Sequence, residues 1–457
     1  MFAQNKKIPF FILKWQNNRR NTMDKQLGIQ KINAAGHLTI GGIDAADLAH
    51  QFGTPLIAYD VAKIRQQIQN FSRVFEEDQV AYEVSYASKA FATVGMFQVV
   101  AQEKGHIDVV SGGELYTAIK AGFPMDKISF HGNNKSRAEL EMAVDQQIGV
   151  VILDNFYEIQ LLSEILAEKD QTINVMLRLT PGISAHTHKY DQTGQEDSKF
   201  GFDIQSGQAE EALQQVLANH RMTMLGIHAH IGSQIFEVEG FVMAANKLVD
   251  LAADWQAKFD LDIQVLNVGG GFGIRYTKDD DPIAPERFVD AIVKAVQKRV
   301  ALRQLNMPAI WIEPGRSIVG PAGYSLYTVG SRKAVPGHLP YVTVDGGMGD
   351  NIRPALYQAD YEAVLANRAA DENEETVRVA GKYCESGDVL IQKQALPKSQ
   401  PGDTLAILST GAYGYSMASN YNRNPRPAVV FVENGQAKVV VKRESYEDLV
   451  SLDQDYI

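Results

Sequence analysis

Residues 83–95 read EVSYASKAFATVG, and the way this stretch divides decides the fold. Up to Lys89 it alternates as a strand does, with Val84 and Tyr86 on one side and the small Ser85, Ala87 and Ser88 between them. Beyond Lys89 it reads as a helix, so a lysine stands at the C-terminal end of a strand. Long side chains at element ends commonly reach into water. The position acquires a chemical meaning only if other strands bring reactive groups to the same end.

They do. Seven further short apolar runs follow: IDVVS (107–111), ISFHG (128–132), GVVILD (149–154), VMLRL (175–179), LGIHAH (225–230), VLNVGG (265–270) and IWIEPG (310–315). Helix candidates lie between them at 91–104, 136–147, 155–169, 236–259 and 284–305. Eight strands alternating with helices predict an α/β fold, a (β/α)8 barrel of the TIM type, with the position of the last helix left open by the pattern. In such a barrel the chemistry gathers at the C-terminal strand ends. Lys89 ends the first run, His230 the sixth and Gly269, Gly270 and Gly271 the seventh, while Glu313, Gly315 and Arg316 end the eighth.

After Gly320 the pattern changes to alternating runs such as PYVTVDG, TVRVAG, TLAILS, PAVVFVE and KVVVKR, separated by Gly, Pro and Asp turns. This predicts a mostly antiparallel β domain. The strand near HLTIGGI (37–43), which precedes the barrel, is expected to join that sheet. The expected division is an extension without a fold of its own at 1–26, N-terminal strands at 27–57, the barrel at 58–318 and the β domain at 319–457. The polar stretch 181–204 is too long for a simple connection and is expected to act as a lid over the rim.

At 457 residues the chain is too long for one ordinary core. A formal net charge of -11 argues against an electrostatic grip on nucleic acid or anionic membrane, which leaves small molecules and copies of itself as partners. The only cysteine, Cys384, rules out an intrachain disulfide and fits a reducing, cytoplasmic setting. The apolar run IPFFIL within the basic first 22 residues is shorter than a secretory core and far below spanning length.

Three glycines in NVGGGFG (267–273) let backbone N–H groups approach an anion. A dinucleotide fingerprint is excluded, because its third glycine falls on Ile274 or Tyr276. In IEPGRS (312–317), Arg316 can fork to an anion and Glu313 can face a protonated ring nitrogen. GIHAHIGSQ (226–234) places His228 and His230 on one face of a strand, with Ser233 following. Such a pair, joined by His186 and His188, also suits a metal-dependent hydrolase. Further carboxylate or histidine ligands at other strand ends are not evident, and no metal is expected. KYCESGD (382–388) with Cys384 and Glu385, DGGMGDNIRPALY (345–357) with Arg353 and Tyr357, and STGAYGYSMASNYN (409–422) with Tyr413 carry more chemistry than sheet connections need.

Taken together, YASKA, DVVSGGE, FHGNNKS, TGQEDSKFGF, HAHIGSQ, NVGGGFGI, IEPGRS, NIRPALY, CESGD and GAYGYSMASNYN closely resemble the diaminopimelate decarboxylase family, from about residue 27 onward. Phe91 departs from it, since many relatives have asparagine after the KA pair. The resemblance implies pyridoxal 5'-phosphate on a barrel with a β domain, and decarboxylation of meso-2,6-diaminopimelate to L-lysine and CO2. It implies that Lys89 forms a Schiff base with the cofactor. His230 would stack on the ring, and Ser233, Gly269 to Gly271, Gly315 and Tyr413 would hold the phosphate region. Glu313 would pair with the ring nitrogen. Arg316 would serve phosphate, substrate or both, with Arg353, Tyr357 and Tyr413 toward the distal carboxylate and Glu385 toward the distal ammonium. The glutamate after the cysteine favours diaminopimelate, since ornithine-type relatives have aspartate there. Cys384 would return a proton to the α-carbon from the neighbouring subunit, which implies a homodimer with shared sites. A racemase of similar fold would set an arginine where Glu313 stands.

Overall fold

The computed structural model describes residues 31–183 and 198–457. Eight parallel strands close into a barrel: Tyr82–Ala87, His106–Val109, Ile128–Phe130, Val150–Leu153, Ile173–Thr180, Met222–His228, Val265–Asn267 and Ala309–Ile312. Closure is made where Ile310, Trp311 and Ile312 of the last strand pair with Tyr82, Glu83 and Val84 of the first. Each expected run supplies one strand. Their β-branched and aliphatic residues are buried on both faces, as a sheet between helices and a filled interior requires.

Strand ends turn into helices at side-chain caps. Thr93, Ser111, Ser136 and Asn155 each accept from a backbone N–H in the first turn of the helices Val94–Gln102, Gly112–Ala121, Arg137–Asp145 and Phe156–Lys169. The helix expected from residue 91 starts at Val94, because Ser88–Ala90 form a 3-10 turn and Phe91 and Thr93 are extended. Besides Val61–Glu77, two helices on the barrel escape the sequence reading. Gly112–Ala121 opens on two glycines, and Gln208–Leu217 follows Gly207 at φ 88°.

The open question of the last helix has a specific answer. The eighth strand is followed only by the short helix Arg316–Val319. Helix Val61–Glu77, which precedes the barrel, packs against it, against Pro285–Arg303 and against the first strand. Val61, Ile64, Ile68, Phe71 and Phe75 recur at helical spacing and are all buried there. The ring of helices is thus completed from its N-terminal side.

The second sheet is mostly antiparallel and has nine strands, built around the long Gly323–Lys333. One expectation is corrected here. The strand near 37–43 does not enter this sheet: Leu38–Ile40 pairs with Lys31–Ile32 and Ile43–Asp44 in a small sheet of its own. Gly41 and Gly42, at φ 56° and 91°, fold the chain straight back after Ile40. Leu56–Asp60 enters the large sheet instead, between Gly323–Lys333 and Ala428–Glu433, and runs across the boundary drawn at 57. Residues 1–26, the pair His186 and His188, and most of 181–204 lie outside the described residues.

Candidate active site

Lys89 sits in the Ser88–Ala90 turn directly after the first barrel strand. Its neighbours are fixed on both sides. Ser88 donates its N–H to Asp108 Oδ1 at 3.1 Å and its hydroxyl to Glu114 Oε2 at 2.7 Å. The Ala90 carbonyl accepts from Tyr413 N at 2.9 Å and from Ser416 Oγ at 3.0 Å. Ser88 and Ala90 are buried while Lys89 is exposed into a cavity of about 350 Å³ at the barrel rim. His230, Ser233, Gly271, Glu313, Gly315, Arg316 and Tyr413 line the same cavity, so groups from strands one, six, seven and eight do converge.

The glycine run serves packing as well as access. A Cβ on Gly270 would lie 1.9 Å from the Glu313 carbonyl oxygen, and one on Gly271 would lie 2.1 Å from that of Gly232. Gly269 and Gly271 have φ of 69° and 108°. Three strand ends therefore meet with no room for a side chain, and Gly270 N–H points at His230 Nδ1 at 3.4 Å.

Glu313 is buried and has N–H groups on both carboxylate oxygens. Asn267 Nδ2 donates to Oε1 at 2.7 Å and His228 Nε2 to Oε2 at 3.1 Å, while His131 Nε2 lies 3.0 Å from Oε1, off the line of a straight hydrogen bond. Burial alone would raise the proton affinity of this carboxyl, but the two imidazoles hold it well below the usual range. Burial pushes His131 down to about 4 and carries His230 well below its ordinary value, with Lys89 and Arg178 adding to the latter. Asp108, also in the cavity, is raised well above the carboxylate range by burial and then by Glu313. The two carboxyls of the cavity are thus shifted in opposite directions, Glu313 down and Asp108 up.

On the opposite side Arg316 donates to Ser233 Oγ at 2.8 Å and to Tyr276 OH at 2.6 Å, with its guanidinium 4.9 Å from the Tyr413 ring centre. Arg353 shares that ring at 5.5 Å, lies 5.2 Å from the ring of Tyr357 and donates to Tyr361 OH at 3.0 Å. The two arginines are thus joined through aromatic faces.

Cys384 and Glu385 are exposed and do not line the cavity. Their turn belongs to a surface formed by the three turn-rich motifs. Asp388 accepts from Tyr383 N at 2.9 Å and Met348 N at 2.7 Å, Cys384 N donates to Asn422 Oδ1 at 2.8 Å, and Tyr383 stacks on Tyr421.

The sequence reading did not single out Asp108, His131, Arg178, Asn267, Tyr276 and Tyr361. Asp108, His131, Arg178 and Asn267 stand within the apolar runs counted above, and a polar side chain among those apolar residues was the signal available. The ligand atoms of His131, His228 and Glu313 lie within 4.8 Å of one another, close enough to surround an ion.

Comparison with known proteins bears on whether these residues hold an ion or an organic cofactor. Residues 61–320 match the pyridoxal binding domain of the pyridoxal-dependent decarboxylases. The diaminopimelate decarboxylase of Bacillus subtilis (strain 168) is 56% identical over 426 residues, covering 93% of this chain and 97% of that protein. That of Bacillus methanolicus is 58% identical over 417 residues, covering 91% and 96%. Among solved structures, diaminopimelate decarboxylase from M. jannaschii in complex with L-lysine superposes with a TM-score of 0.87 at 36% identity, covering 94% of this chain and 98% of that one.

Proposed function

Since the chain belongs to the diaminopimelate decarboxylases, a family of pyridoxal-dependent enzymes, we propose that the barrel-rim cavity around Lys89 is its active site. The enzyme is a pyridoxal phosphate-dependent carboxy-lyase that converts meso-2,6-diaminopimelate to L-lysine and CO2. The observation that carries the site assignment is that the Lys89 amine and the Glu313 carboxylate line one cavity.

The donor set fits the cofactor. The cavity offers an amine for attachment, an ionised carboxylate for a protonated ring nitrogen, a half-buried imidazole for a ring face, and a serine with an arginine for a phosphate. When bound, pyridoxal phosphate supplies an electron sink for the pair left on the α-carbon as CO2 departs.

The chain's residues divide the remaining work. Lys89 Nζ is the attachment point, and its pinned neighbours aim it. Glu313 would pair its negative charge with the ring nitrogen. His230 would stack on the ring, its own imidazole oriented by Gly270 N–H. Ser233, Gly269 to Gly271, Gly315 and Arg316 take the phosphate side, with Tyr413 under the guanidinium. Arg316, Arg353, Tyr357 and Tyr413 face the distal carboxylate of the substrate and Glu385 its distal ammonium. Cys384 delivers a proton to the α-carbon, a general-acid step typically worth about 10²–10⁴-fold.

Cys384 and Glu385 are exposed on this chain and stand outside the cavity, which supports their acting in a second copy. The proposed assembly is a homodimer with two shared sites. A cytoplasmic location is proposed on the single cysteine; no described helix is long and apolar enough to cross a membrane.

The test is direct. Purified protein supplied with pyridoxal phosphate should release CO2 and lysine from meso-diaminopimelate, and replacing Lys89 or Glu313 should stop it. Undiminished turnover in both variants would overturn the assignment of this cavity.

A further inference from the structure

Glu313 receives more attention from its neighbours than a carboxylate needs in order to be buried. His131, His228 and Asn267 reach it from the ends of three other strands. All four side chains are buried. The two imidazole rings also meet each other edge to face, with centres 5.0 Å apart and planes at 73°. The loop that carries His131 is itself fixed, because the buried Lys135 ammonium donates to Gly132 O at 2.9 Å, Ile152 O at 2.8 Å and Glu158 Oε1 at 2.7 Å.

The form of these imidazoles follows from the geometry. An ionised carboxylate only accepts, so His228 must donate through Nε2. Its Nδ1 is buried without a hydrogen-bond partner, and a proton there would be an unsatisfied donor. His131 Nε2 stands 3.0 Å from Oε1 without meeting hydrogen-bond geometry, and its proton is placed on Nε2 because a bare lone pair there would face the carboxylate's negative charge. Neutral donors stabilise an anion without cancelling its charge. A cationic imidazolium would instead compete with any other cation that the carboxylate is to meet.

We infer that His131 and His228 are positioning residues: as neutral Nε2–H donors they keep Glu313 anionic and aimed, so that its charge remains available to the cofactor's ring nitrogen. The inference rests on the role given to Glu313 above. Lys89, Arg178, Asp108 and His230 also face this region, but none of them occupies the two carboxylate oxygens as these rings do. Asn267 is a poorer probe, since its Oδ1 also holds Gly269 N–H at 3.0 Å and a change there moves the glycine loop.

The experiment compares His131→Phe and His228→Phe, which keep an aromatic ring and lose the donor, with His131→Gln and His228→Gln, which keep a neutral N–H. Pyridoxal phosphate affinity is measured by fluorescence titration alongside kcat and KM. The loss of a hydrogen bond to a charged group predicts about tenfold weaker cofactor binding and about tenfold lower kcat at little-changed KM for His228→Phe. His131→Phe should show a smaller effect, since its contact is off axis, and the Gln variants should recover most of both. In the unsubstituted apoprotein, ¹⁵N spectra of the ring nitrogens should show both residues as the neutral Nε2–H tautomer at pH 7. An imidazolium or Nδ1–H form at either ring would overturn the inference, as would Phe variants that equal wild type. Glu313→Gln separates the two levels of the argument. If it weakens cofactor binding while the Phe variants do not, the inference alone falls; if it leaves binding unchanged, the role of Glu313 falls with it.

Discussion

The backbone N–H of Tyr413 donates to the carbonyl of Ala90 at 2.9 Å, which ties a loop of the β domain to the barrel one residue beyond Lys89. Tyr413 holds φ at 60°, a left-handed conformation that a tyrosine adopts only where its surroundings fix it. The same residue places its ring beneath both Arg316 and Arg353. The lysine and the two arginines are therefore tied to one loop.

Tyr413→Ala should raise KM for meso-diaminopimelate by about 10- to 100-fold, since two arginines lose a shared aromatic face worth about 0.5–2 kcal/mol to each. Tyr413→Phe keeps the face and should stay within about threefold of wild type. Steady-state kinetics on the two variants distinguish the ring from the hydroxyl. Equal losses in both would assign the effect to the hydroxyl instead.

Gly270→Ala tests packing apart from chemistry. The added methyl meets the Glu313 carbonyl oxygen at 1.9 Å, so strands seven and eight must separate. Overpacking of this kind typically costs about 1–3 kcal/mol. Thermal melts of the apoprotein should show a clear fall in Tm. An unchanged apoprotein Tm with only cofactor affinity lost would make the run a ligand loop and nothing more.

Asp350 gives a pH signature. It is buried, accepts from Gly347 N at 3.0 Å, and is raised to about 7 by burial and by Asp345 and Asp388. In the folded state it binds a proton that the unfolded chain has already released above about pH 4. The stability it confers is therefore greatest at low pH and falls as pH rises from about 4 to about 7, by at most about 4 kcal/mol. Asp350→Asn should remove this fall, so its stability relative to wild type increases across that window. His131, lowered to about 4, pulls the other way, but it is common to both proteins and cancels in the difference. Urea unfolding of both proteins from pH 4.5 to 8 reads the difference; a pH-independent difference would contradict it.

Mixing Lys89→Ala with Cys384→Ala chains probes the shared site. With random re-association about half of the dimers are mixed and one site in each is whole, so activity should recover to roughly a quarter of wild type. No recovery in a sample that mass spectrometry shows to contain mixed dimers would place both residues in one subunit's site.

Much of this arrangement was legible in the sequence because barrel strands are buried on both faces and announce themselves as apolar runs. Lys89, His230 and Glu313 could be placed at one rim simply by counting strands. Asp108, His131 and Arg178 were harder. They lie inside or at the edge of those same runs, and their meaning comes from facing one another across a barrel whose stagger the one-dimensional pattern does not carry. Tyr276 and Tyr361 depend on an approach between the loop after strand seven and the β domain, which no local pattern encodes. Leu56–Asp60 was missed for another reason. Its neighbours Gly323–Lys333 and Ala428–Glu433 are more than 260 residues away, while the nearer HLTIGGI looked like the better strand.

The central claim is that Lys89 carries the cofactor, and borohydride reduction followed by peptide mapping tests it most directly. Reduction of the holoenzyme fixes the cofactor on whichever amine holds it, and digestion with mass spectrometry locates that amine. A pyridoxyl group on the peptide containing Tyr86 to Ala90, attached at Lys89, is the predicted result. A pyridoxyl group on any other lysine, with Lys89 unmodified, would contradict the account.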